Sequence, residues 1–124
     1  MLGDGNAMAT IAVKDTKAAS KFYEGKLGLK PAANREQGVL SYQSGNSTLL
    51  VYESKFAGTN KATAATWVVK DVEGAVRELK GKGVSFEHYD MPEMNRQEDI
   101  HVVGNTKAAW FKDPDGNILS LVNG

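Results

Sequence analysis

Apolar residues in this chain follow two periods, and the switches between them mark the elements. Met8 to Lys14 alternates with period two and predicts a strand. Asp15 is a suitable N-cap for a helix beginning at Thr16. Ala19, Phe22, Tyr23 and Leu27 recur at helical spacing, predicting an amphipathic helix over 16–27 that stops at Gly28. Leu29 to Arg35 reads as a strand disturbed by Pro31. Val39–Gln43 and Thr48–Glu53 flank Ser44-Gly45-Asn46 and predict a hairpin. A polar linker, 54–63, leads to a strand over Ala64–Lys70. Asp71 then caps a second helix, whose stripe is Val72, Ala75, Val76 and Leu79 and whose end is marked by Gly81 and Gly83. Val84–Tyr89 is a further strand, and 90–106 reads as an irregular polar insertion. The chain closes on a hairpin in which Trp110-Phe111 and Ile118-Leu119 flank the turn Asp113-Pro114-Asp115-Gly116-Asn117.

The pattern repeats. Ala9-Thr10-Ile11-Ala12-Val13-Lys14-Asp15 matches Ala65-Thr66-Trp67-Val68-Val69-Lys70-Asp71 at five of seven positions, at an offset of 56. Asn46 to Leu50 corresponds to Gly116 to Ser120 at an offset of 70, and the added residues fall in 90–106. The chain therefore divides into a short leader, 1–7, and one domain, 8–124, made of two βαβββ modules, 8–53 and 64–123. A repeated unit too small to bury its own sheet implies pairing of the two units. The expected architecture is α+β: tandem βαβββ modules forming a curved mixed sheet, with a concave cleft and helices outside.

Composition narrows the partners. Fifteen basic residues balance fifteen acidic ones, so the chain offers no electrostatic case for nucleic acid or an anionic membrane. No apolar run reaches the roughly 20 residues of a membrane span. The absence of cysteine excludes disulfides and thiolate chemistry, and fits a cytoplasmic location.

Two motifs then carry a resemblance. Phe22-Tyr23-Glu24-Gly25-Lys26-Leu27-Gly28-Leu29 and Phe111-Lys112-Asp113-Pro114-Asp115-Gly116-Asn117, together with the duplication, make residues 8–123 resemble the vicinal oxygen chelate superfamily, the group of glyoxalases, bleomycin-resistance proteins and extradiol dioxygenases. The resemblance implies the fold above and a homodimer. It also implies a divalent metal held by His and Glu from the first and fourth strands of each module. Those positions here are Met8, Leu50, Ala64 and Ser120, a set without a competent donor for such an ion. No metal or other cofactor is therefore expected. The preferred reading is a protein that binds a small, aromatic organic molecule without catalysis. The alternative is a metal-dependent or unusual lyase, isomerase or dioxygenase-type enzyme of the same superfamily.

Strand alternation names the expected cleft. If the former ligand positions face inward, so do Thr10, Tyr52 and Thr66. The repeat pairs Trp110 with Leu40 and Lys112 with Tyr42, and the resemblance implies that these four face the cavity too. The expected binding set is Met8, Thr10, Tyr42, Leu50, Tyr52, Thr66, Trp110 and Ser120. In the insertion, Met94, Arg96 and His101 are lid candidates, with Met91 as a further apolar contact. His88, His101, Glu53 and Glu98 are the remaining candidates for acid–base work or a displaced metal site.

Overall fold

A computed structural model describes residues 1–32 and 38–124 of the chain. After a 3₁₀ turn at Leu2–Asp4, the first module comprises β1 (Ala9–Val13), α1 (Thr16–Ser20), a π-helical continuation over Lys21–Lys26, β2 (Lys30–Pro31), β3 (Val39–Ser44) and β4 (Ser47–Glu53). The second comprises β5 (Thr63–Val69), α2 (Val72–Gly81), β6 (Phe86–Glu87), β7 (Asn95–Gln97), β8 (Ile100–Val103), β9 (Thr106–Lys112) and β10 (Ile118–Asn123). The expected strand over 29–35 is realised at Lys30–Pro31, and its later part, from Ala33, lies outside the described residues.

The α+β class and the duplicated module are as the sequence implies. The first sheet has the order β1-β4-β3-β2 and the second β5-β10-β9-β8-β7, with β6 pairing the free stretch of β9. In each module the first strand runs parallel to the last, Thr10 opposite Leu50 and Thr66 opposite Ser120, so the repeat seen in the sequence is also a repeat of register. Both helices start where their Asp caps predict. Asp15 accepts from the Lys17 amide at 2.9 Å and Asp71 from the Gly74 amide at 3.0 Å, each satisfying a first-turn donor. No helix is long and apolar enough to cross a membrane among the described residues.

One hydrophobic cluster serves both modules. Ile11, Val13, Leu49 and Val51 from the first sheet join Phe111, Leu119 and Leu121 from the second, with Phe22 and Val76 from the helical segments. Phe22 reaches across to Phe111, with ring centroids 6.4 Å apart, and the Trp67 indole N–H donates to Ser44 Oγ at 3.0 Å. The closing turn locks the modules together. Asp113 accepts from the Tyr23 hydroxyl at 2.8 Å and from the amide of Asn117 at 2.8 Å. The Asn117 side-chain amide donates to Ala12 O at 2.7 Å, on the edge of β1. Burial, then the charge of Asp113, pushes the Tyr23 phenol far above its ordinary range, so it stays a donor. Gly58 completes this joint: a Cβ there would meet the Asp115 carbonyl oxygen, and its φ of +73° is left-handed.

The 90–106 stretch departs from its expected irregularity. It holds a hairpin, β7–β8, with Arg96 opposite His101. The turn contains no glycine. Glu98 takes the left-handed conformation instead, with φ at 57°, as does Glu93 at 68°. Acidic residues in these seats disguise the hairpin as a charged loop.

Candidate functional site

The second sheet turns one face to the core and leaves the other open, and ladder register decides which residues stand there. Residues directly opposite in a ladder share a face. Ser120 lies opposite Thr66 on one side and Trp110 on the other, giving one row across the outer face. The next row runs Val68, Val122, Ala108, His101 and Arg96. The Thr66 and Ser120 hydroxyls bond each other at 2.6 Å.

Beside this bonded pair three rings meet. Trp110 packs edge-to-face on His101, with centroids 4.9 Å apart, and on Tyr89 at 5.4 Å. The Tyr89 backbone N–H donates to His101 Nε2 at 2.9 Å, so the imidazole carries its proton on Nδ1. His101 is buried, and Nδ1 has no hydrogen-bond partner among the described residues. An orphaned buried donor costs about 1–3 kcal/mol, so it marks a place where packing of the rings has been retained at some expense. Above the rings lies a groove of about 390 Å³, lined by Lys61, Thr63, Tyr89, Met91, Trp110 and Ile118 together with Ala62. The Trp110 indole N–H donates to Thr63 Oγ1 at 3.2 Å, fixing the indole's orientation along the groove floor.

A second hollow, of about 260 Å³, opens on the opposite side between the end of the first helix and α2, lined by Leu27, Leu29, Trp67, Leu79, Phe111 and Leu121 among others. Its apolar walls belong to the shared core, Lys26, Glu78 and Lys82 stand on its lining, and its indole donor is already bonded to Ser44. The Trp110 groove combines ring faces with polar groups, the composition that small-molecule sites share.

An ionic cluster braces the β7–β8 hairpin from behind. Asp99 is buried and bonds Lys80 Nζ and His88 Nε2, both at 2.7 Å. The Lys80 hydrogen bond, then that of His88, holds the Asp99 carboxyl below its ordinary range, and the same bond to Asp99 raises Lys80. This accounts for His88 as a tether of the hairpin. Arg96 is committed as well, donating to Asp90 Oδ1 at 3.2 Å and to the Glu98 carbonyl at 2.8 Å.

The expected binding set is thus divided by the structure. Met8, Thr10, Tyr52 and Thr66 are exposed, and Leu50 is half-buried opposite Thr10. Ser120 is buried and bonded to Thr66. Tyr42 does not belong with them, and neither does Leu40. Both are buried in the core, Tyr42 stacking on Tyr23 and donating to Glu24 Oε2 at 2.7 Å. Tyr42 lies opposite Leu49 and Leu40 opposite Val51, both core residues, so the face follows from register. His101 is corrected too: it is an interior residue of strand β8 and not part of a lid. Met94 is half-buried in the loop before β7, where its amide bonds the Met91 carbonyl at 3.2 Å. Glu53 is exposed at the end of β4, opposite Val13. Tyr89, Lys61 and Thr63 escaped the sequence reading. Tyr89 was masked by the charges of Glu87-His88-Tyr89-Asp90, and the other two sit in and at the end of a stretch that composition alone marks as linker.

The residues that the sequence resemblance sets at the metal positions do not make a donor set for a divalent ion. Met8 offers an exposed thioether, Leu50 and Ala64 offer no donor, and the Ser120 hydroxyl is bonded to Thr66. Ala64 moreover packs against the core, beside the register shift between Ile118 and Leu119. Among the described residues no group of three or more His, Asp and Glu side chains is arranged to hold a metal.

The family model described as Glyoxalase/Bleomycin resistance protein/Dioxygenase superfamily matches residues 6–121. The chain belongs to that superfamily. Comparison with curated proteins gives no significant match. Solved structures of superfamily members extend the fold. A glyoxalase family protein from Enterococcus faecalis is 20% identical, with a TM-score of 0.72 over 98% of this chain and 99% of that one. A lactoylglutathione lyase from Agrobacterium tumefaciens is 15% identical, TM-score 0.71, over 98% and 94%. The fosfomycin resistance protein FosX from Listeria monocytogenes is 14% identical, TM-score 0.71, over 98% and 93%. At these identities the likeness is one of fold, and superfamily membership leaves the chemistry to the site.

Proposed function

We propose that this superfamily member is a metal-independent binding protein for a small aromatic molecule, and that the ligand lies in the Trp110 groove. The observation that carries the reading is the joining of Trp110, Tyr89 and His101 beneath a groove of about 390 Å³. Ring faces and the Met91 side chain supply apolar contact, and Thr63 and Lys61 supply polar contacts that orient a ligand. The unsuitable donors at Met8, Leu50, Ala64 and Ser120 support binding without a metal.

The biological unit in this reading is a homodimer. Its support is the open outer face of both sheets: Val68 is 68% exposed on β5 and Tyr52 is 37% exposed on β4. A second copy covering these faces would bury apolar surface that one chain leaves in water and would wall the groove. Sedimentation of the wild type as a dimer, and of Val68→Glu as a monomer, is the expected result. A wild-type monomer at all concentrations contradicts the dimer.

The function itself is tested by metal analysis and thermal shift together. Protein incubated with Ni²⁺, Zn²⁺, Mn²⁺ or Fe²⁺ and desalted is expected to retain no stoichiometric metal, and a planar aromatic ligand at 100 times its Kd is expected to add about 2.7 kcal/mol of stability. Stoichiometric metal in the protein would overturn the metal-independent reading in favour of a lyase, isomerase or dioxygenase type of chemistry.

A further inference from the structure

We propose that the Trp110 groove selects planar aromatic carboxylates, with the ring against Trp110 and Tyr89 and the carboxylate held by Lys61 and the Thr63 hydroxyl. This rests on the groove being a binding site and adds the class of ligand. Charge and hydrogen-bond direction both point to it.

Lys61 is the one charged residue among those lining the groove. It has no ion pair or hydrogen bond among the described residues. The acidic residues on either side of Tyr89 are engaged elsewhere: Asp90 accepts from Arg96 Nε at 3.2 Å, and Glu87, opposite Trp110 in the ladder, pairs with Lys112 Nζ at 3.3 Å. The groove thus presents one uncompensated positive charge. Its polar side chains also offer donors. Thr63 Oγ1 already accepts the Trp110 indole N–H, which leaves the hydroxyl proton to give, and Lys61 has three N–H groups and no acceptor. The remaining linker amide at hand, that of Ala62, is spent on Asn60 Oδ1 at 3.1 Å.

A ligand head composed of acceptors and carrying a negative charge complements this set, and an ionised carboxylate is the simplest such head. Two aromatic faces alone would favour the opposite choice, since Trp and Tyr rings attract cations. Lys61 reverses that preference, because an ammonium brought to the same end of the groove meets a like charge. The two effects oppose each other on one ligand series, which makes the inference easy to break.

The experiment measures calorimetric affinities of three isosteric probes, naphthoate, naphthamide and naphthylmethylammonium, for the full chain and for Lys61→Gln. In the wild type naphthoate is expected to bind about tenfold more tightly than the amide, with the ammonium weakest and the gap narrowing as salt is raised. In Lys61→Gln the naphthoate advantage over the amide is expected to vanish, with thermal melting of the variant confirming that it is folded. Equal affinities of naphthoate and amide, an ammonium that binds best, or a preference that survives Lys61→Gln would overturn the carboxylate assignment and leave aromatic binding standing. Failure of all three probes to bind would overturn the binding reading itself.

Discussion

The hairpins β3–β4 and β9–β10 hold equivalent places in the two modules, yet Tyr42 of the first and Trp110 of the second stand on opposite faces. In the first, the two residues Gly45 and Asn46 link the paired Ser44 and Ser47. In the second, the five residues Asp113–Asn117 link Lys112 and Ile118. The return strands stay in step, Leu50 with Ser120, but the turns differ by an odd number of residues. Leu50 therefore faces Ser41, and its counterpart Ser120 faces Trp110. A one-residue slip moves every side chain to the other face. Tyr42 goes to the core and Trp110 goes to the outer face. At matched register the outer position of Trp110 is Ser41 in the first module, and the core position of Tyr42 is Phe111 in the second.

Substitutions at the two aromatic positions test this asymmetry. The largest effect is expected at Tyr42. Tyr42→Ala removes a fully buried ring and is expected to cost about 4 kcal/mol in urea unfolding. Asp113→Ala comes next. It strands the Tyr23 hydroxyl and frees the Asn117 side chain that reaches β1, so a loss of about 3 kcal/mol is expected in the same measurement. Trp110→Ala is expected to cost only about 1 kcal/mol of stability, because the ring is partly exposed, while weakening aromatic-probe affinity at least tenfold. A Trp110→Ala variant destabilised as much as Tyr42→Ala would assign Trp110 to the core and erase the contrast.

The smallest effect concerns the Asp99 cluster and is best seen through pH. The Asp99 carboxyl titrates below its ordinary value in the folded chain, held there first by Lys80 and then by His88. A depressed carboxyl contributes stability above its unfolded value, about 3.9, and loses it as pH falls through the folded one. Lys80 is shifted upward, so its share is present below its ordinary range and is lost as pH rises through the folded value. Asp99→Asn is expected to lower stability modestly at neutral pH and to flatten both limbs of the melting-temperature profile, below about pH 4 and above about pH 10.5. Unchanged limbs would show that Asp99 is not what tethers β7–β8.

The module plan was legible in the sequence because each device is local: period, Asp cap, Gly stop and a repeated heptad from Ala9 and Ala65. The parallel pairing of the first strand with the last was legible as well, Thr10 with Leu50 and Thr66 with Ser120 holding equivalent registers. The site was only half legible. Placing Tyr42 beside Trp110 assumed that one offset holds through the hairpin, and turn length broke that assumption. The β7–β8 hairpin was hidden because Glu93 and Glu98 occupy positive-φ seats usually signalled by glycine or asparagine. His101 looked like a loop residue for the same reason. Its burial beside Trp110 depends on the strand pairing of β8 with β9, which no local pattern announces.

The two tryptophans supply the most direct test of where ligand binds, because one lies in each hollow: Trp67 in the core-side crevice and Trp110 in the outer groove. In a ¹⁵N-labelled sample titrated with a naphthyl probe, the Trp110 indole signal and the amides of Thr63, Tyr89 and Met91 are expected to shift together, with the Trp67 indole unmoved. A titration that moves the Trp67 indole, or the amides of Thr10, Leu50 and Tyr52, while Trp110 stays still would contradict the assignment of the site.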